Sequence, residues 1–125
     1  MVLVEEWIEK AESDFEGAQV LNRRRKQPLP ELVCYHCQQS VEKYLKAFLV
    51  SKGAQPPRTH DLVQLLDLCS TSDSSLSGCQ PLVEFVDPYG VEVRYPGVSA
   101  TVDEANDVMK ATRHLRGVFR RALKL

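Results

Sequence analysis

The 125-residue chain is long enough to bury a core without metal or disulfide staples, and too short to expect a second domain. Its 43% hydrophobic and 26% charged residues suit a globular protein, and no apolar run approaches the length that crosses a bilayer. Sixteen basic against seventeen acidic residues leave a formal charge of -1, which excludes a global positive field for nucleic acid or anionic membrane, so any RNA contact must be local.

At the start of the chain, Glu5 and Glu6 stand where a secretory leader carries basic residues, which points to the cytoplasm. In that compartment four cysteines are expected as reduced thiols rather than as a disulfide framework. Leu3, Trp7, Ala11, Phe15, Ala18 and Leu21 recur every three or four residues, the mark of one apolar stripe on a helix over about 3–25. Arg23, Arg24, Arg25 and Lys26 fall in its last turn as a solvated helix end, and Pro28 and Pro30 block continuation.

The second helix is expected to open near Leu29 to Glu31 and to run to about Ser51. Cys34, Cys37, Val41, Tyr44, Leu45, Phe48 and Leu49 make its buried side. Its other side, Gln38, Gln39, Glu42, Lys43 and Lys46, reads as a solvated polar face with an i,i+4 pair from Glu42 to Lys46. Gly53 and the Pro56-Pro57 pair end it. Thr59 then stands where a side-chain oxygen caps a new helix over about 60–69, with Asp61 in its first turn.

Residues 70–78 are rich in small polar side chains and read as a loop, partly mobile. Leu76, Cys79, Leu82, Val83 and Val86 predict a short fourth helix, stopped by Asp87-Pro88-Tyr89-Gly90. Val91, Val93 and Tyr95 alternate with polar neighbours, but a lone strand has no partner here, so an extended loop is expected. Thr101-Val102-Asp103-Glu104 has the form of a capping box and opens the last helix at about 102. Three long and two short helices make an all-α, up-and-down bundle spanning residues 1–125 as one domain.

Cys34, His36 and Cys37 have the donor types of a zinc half-site, yet in a continuous helix the two thiols share the apolar stripe while His36 turns away. With no second ligand pair at comparable spacing, no metal site is expected. His60-Asp61 reads first as a capped helix start; an imidazole beside a carboxylate also suits general acid-base work if it faces a cleft. Arg94 beside Tyr95 and Pro96 suits a phosphate clamp with an aromatic platform, and equally an anchor tying the loop to the bundle.

Tyr35-His36-Cys37-Gln38-Gln39 with Glu42-Lys43 and Lys46, then Thr59-His60-Asp61-Leu62, then Arg94-Tyr95-Pro96 resemble in order and separation the HEPN family, small all-helical proteins of higher eukaryotes and prokaryotes. Ala11-Glu12-Ser13-Asp14-Phe15 resembles the first helix of its stand-alone bacterial and archaeal branch. The resemblance implies a homodimer, with Trp7, Tyr35 and Tyr44 as interface aromatics if they are not core. It also implies a partnership with a minimal nucleotidyltransferase in a toxin-antitoxin or defence module, and nucleotide or RNA binding by Lys43, His60, Arg94 and Tyr95 in one polar groove. No cofactor and no membrane are implied.

Many HEPN proteins are metal-independent ribonucleases with an arginine and a histidine four to six residues apart. No arginine here is followed by a histidine at that spacing, since Arg113-His114 is adjacent and Arg58 to His60 is too close. A divergent ribonuclease with His60 as acid or base and Arg94 as phosphate stabiliser is the enzymatic alternative. A purely structural interaction module is the third.

Overall fold

The computed structural model describes residues 2–90 and 95–125, and every described element is helical. Helix α1 spans Val4–Asn22, α2 Pro30–Ser51, α3 Leu62–Ser70, α4 Gln80–Val86 and α5 Val102–Ala122, with short 3-10 turns at Ser74–Cys79 and Asp87–Tyr89. The three long and two short helices of the sequence reading are all present. None of them is long and apolar enough to cross a membrane.

Local chemistry sets the boundaries. Glu5 and Glu6 lie in the first turn of α1, where the helix dipole favours acidic side chains. The helix ends at Asn22, before the basic run, which is exposed; Arg24 Nε turns back onto the Lys26 carbonyl. Pro30 occupies the first turn of α2, where its missing N-H costs nothing. Gly53, at φ +80°, turns the chain out of that helix, and the Ala54 N-H returns to the Leu49 carbonyl.

The cap of α3 is Asp61, whose carboxylate accepts from the Gln64 N-H, rather than Thr59; the Thr59 hydroxyl accepts from the Asp61 N-H one step earlier. Within the stretch read as a loop, the Asp73 carboxylate accepts from the Ser75 N-H and starts the 3-10 turn. At α5 both bonds of the capping box are formed.

Helix α2 is the axis of the bundle. Trp7 meets Lys46, the Ala11 carbonyl meets Ser40 and Asp14 meets His36, so α1 runs antiparallel to it. Cys37 meets Met109 and Tyr44 meets Phe119 and Arg120, so α5 runs parallel to it. Leu62, Leu65 and Leu66 of α3 and Val83 and Val86 of α4 close the remaining side of one continuous apolar cluster. The expected extended loop falls largely on residues 91–94, Arg94 included, which lie outside the described residues.

Candidate functional site: a buried polar face on α2

The apolar face of α2 is buried as its periodicity predicts. The polar face is the surprise: Gln38 is 1%, Glu42 3% and Lys46 7% exposed, so this is no solvated surface. Burying such groups is costly unless each finds partners, and here they find one another. Gln39 Nε2 donates to Gln38 Oε1 at 2.8 Å, and Gln38 Nε2 donates to the His60 carbonyl at 3.0 Å. One oxygen of Glu42 meets His60 Nδ1 at 2.8 Å and the other accepts from Lys46 Nζ at 3.1 Å.

Gly90 makes room for this network. A Cβ there would stand 3.1 Å from Cδ and 3.2 Å from Nε2 of Gln38.

The Glu42-His60 pair joins a carboxylate that is 4% exposed to an imidazole that is 65% exposed. A carboxylate so placed fixes the orientation of the ring and leaves Nε2 as the nitrogen for a ligand or a proton. His60 owes its place to the turn before α3, held by the Asp61 cap and by the Leu62 N-H donating to Asp87 at 2.9 Å. Burial pushes the Asp87 carboxyl above the usual range, more than that N-H lowers it.

Lys46 also lies over the indole of Trp7, 5.6 Å from the ring centroid, a cation-π contact that supports a desolvated ammonium. Trp7, Lys46, Val50, Pro56, Pro57 and Arg58 line a cleft of about 660 Å³ beside the network. On the neighbouring strip of α2, Asp14 receives both His36 Nδ1, at 2.9 Å, and Lys43 Nζ. Toward α5, Glu12 accepts from the Tyr44 hydroxyl and from Arg116 and Arg120. The Arg116 hydrogen bond outweighs partial burial and holds the Glu12 carboxyl below the usual range.

Lys43 is thus engaged by Asp14 and His60 by Glu42, and no hydrogen bond or ion pair among the described residues joins Lys43, His60 and Tyr95 directly. Tyr95 is 60% exposed, and Arg94 lies outside the described residues. Tyr44, weighed as an interface aromatic, is a core side chain at 1% exposure.

Cys34 and Cys37 are buried in the core while His36 turns to Asp14, so the three donors do not converge. Among the described residues no three potential ligands gather for a metal ion. Burial pushes the Cys34 and Cys69 thiols up to about 12 and Cys37 to about 11, the range of inert core thiols.

What sequence reasoning missed were Trp7, Arg58, Asp14 and the carboxylate partner of His60. The one signal available for the last was Glu42 itself, an acid followed four residues later by lysine on the helix that carries the other motifs.

Residues 4–122 match the family model of the HEPN domain. The fold is similar to that of ST0689, an archaeal HEPN homologue, with a TM-score of 0.75, 25% identity and 98% of each chain covered. It is also similar to TT1696 from Thermus thermophilus, with a TM-score of 0.75, 20% identity and coverage of 94% of this chain and 96% of that one. No curated protein matches the chain.

Proposed function

This chain belongs to the HEPN family, and from that premise we propose that it binds a nucleotide or RNA at the polar face of α2. In this reading it is a cytoplasmic homodimer that partners a minimal nucleotidyltransferase in a toxin-antitoxin or defence module. The observation that carries the binding half is the Glu42 carboxylate, which holds both the exposed His60 ring and Lys46, a residue that lines a cleft. A cation and an imidazole oriented together suit a phosphate group. Lys43, on the next position of the same helix, adds a second ammonium, and Arg94 and Tyr95 are the proposed loop contribution to the groove. The absent arginine-histidine spacing favours assigning the chemistry to the partner.

Calorimetric titration with mononucleotides and short single-stranded RNA tests the binding half. Saturable binding is expected, weakened about tenfold by His60→Ala through loss of one charge-assisted contact. Absence of binding to either ligand overturns it. The partnership is tested by co-expression with a minimal nucleotidyltransferase, where a stoichiometric complex is expected; a complex without ligand binding leaves the interaction module.

The Glu42-His60 pair separately favours a divergent metal-independent ribonuclease, because a carboxylate-oriented imidazole is what proton transfer at a 2′-hydroxyl needs. This reading expects RNA cleavage in the presence of chelator that is lost in both His60→Ala and Arg94→Ala. No cleavage by the wild type, or cleavage surviving both substitutions, excludes it.

A further inference from the structure

We propose that the cleft between the start of α1 and the segment after α2 is a site for a nucleoside phosphate, the heterocycle lying against Trp7 and the Pro56-Pro57 wall and the phosphate meeting Arg58 and Lys46. This rests on the reading that the ligand is a nucleotide or RNA, and it assigns that ligand a pocket that shares only Lys46 with the family motifs.

Size agrees first. About 660 Å³ falls within the roughly 300–1,000 Å³ of small-ligand sites, and the lining joins an apolar wall to a few charged groups, as such sites do. The charge balance of the wall is next. Glu42 is shared by Lys46 and His60, whereas the exposed Arg58 has no side-chain partner among the described residues, so the cleft carries an uncompensated cation. Arg58 is fixed along the chain by the two prolines before it, which limit the backbone freedom of the segment.

Trp7 supplies the third argument. Its ring is only partly buried, yet its Nε1 is buried and has no hydrogen-bond partner. An indole usually finds an acceptor when its N-H is removed from water, so a hydrogen bond does not account for the placement of this ring. The ring borders both the Lys46 ammonium and the cleft, and a planar aromatic ligand with acceptor atoms suits both. A plain anion would leave the apolar wall unused, and a neutral heterocycle would leave Arg58 unanswered.

The source is either a free mononucleotide or the phosphorylated end of an RNA. Trp7 is the only tryptophan, so its emission reports on the cleft directly. The probes are AMP, GMP, CMP and UMP, with adenosine and inorganic phosphate as halves of the ligand, and a tetranucleotide RNA with and without a 5′-phosphate. At least one mononucleotide is expected to change Trp7 emission saturably, with adenosine and phosphate each about tenfold weaker or worse.

Arg58→Ala, in an exposed segment, is expected to lower affinity about tenfold without unfolding the protein; Trp7→Phe, followed by calorimetry, is expected to weaken binding while keeping the apolar packing. An RNA end as the source is expected to show in the phosphorylated tetranucleotide acting at lower concentration than any mononucleotide.

Two results overturn the site: unchanged Trp7 emission with every mononucleotide and both RNAs at millimolar concentration, or unaltered affinity in Arg58→Ala. RNA binding seen by calorimetry with silent Trp7 emission overturns this cleft and leaves the RNA-binding reading standing. No calorimetric binding of either ligand removes both.

Discussion

Glu42 shows how a residue can be read correctly in its pairing and wrongly in its setting. Its partnership with Lys46 follows from helical spacing, but the face both occupy is covered by Trp7 and the segment ahead of α3, contacts that no local pattern carries. The same limit hid the bond from Glu42 to His60, eighteen residues away in sequence, and the Asp14 partner of His36. By contrast, the burial of Cys34 and Cys37 was legible, because it needed only their common stripe on α2. Removal of Glu42 leaves a buried ammonium without its counter-charge, so Glu42→Ala is expected to destabilise the fold by about 3–5 kcal/mol, read by urea denaturation. A loss under about 1 kcal/mol, the usual value of a surface pair, means that Lys46 is solvated after all.

At the level of elements, boundaries were most legible where capping chemistry sits in the sequence and least where a side chain competes for the same role. Thr101 and Glu104 bracket α5 as read, and Thr101→Ala is expected to cost about 1 kcal/mol in thermal or urea denaturation. Thr59 and Asp61 are both cap formers two residues apart, and the structure gives the cap to Asp61. The turn at Ser74–Cys79 falls largely within the 70–78 stretch whose small polar residues read as loop, with Leu76 and Cys79 assigned to the next helix, although Asp73 stands in place to start it.

Between elements, Glu12 joins α1 to α5 through Arg116 and Arg120 and to α2 through Tyr44. Its carboxyl titrates below the ordinary 4.5 in the folded protein. The stability it contributes is therefore present above that value and is lost as pH falls through the depressed one. Glu12→Gln is expected to be less stable than wild type by roughly 1–3 kcal/mol at neutral pH, with the gap narrowing below pH 4.5. Asp87, raised by burial, has the opposite sign but is common to both proteins, so it cancels in the comparison.

For the whole molecule, the all-helical bundle was readable from periodicity alone, whereas the relative directions of its helices became visible only in the contacts between them. With α1 antiparallel and α5 parallel on either side and the short helices closing the rest, α2 has few ways to open alone. Its central amides, from Gln38 to Phe48, are expected to exchange hydrogen only through global unfolding, more slowly than those at the ends of α1 and α5. Faster exchange in α2 than in α1 would show that the bundle opens along its axis.

Gly90 extends the candidate site to a position with no functional group. The Gln38 amide beside it is bonded at both ends, to Gln39 and to the His60 carbonyl, so it has little freedom to yield to a methyl group 3.1 Å away. In a saturation screen scored for ligand binding, position 90 should then tolerate as few replacements as His60, even alanine shifting the amide that steadies the histidine backbone. Part of what builds the candidate site is an atom that is not there.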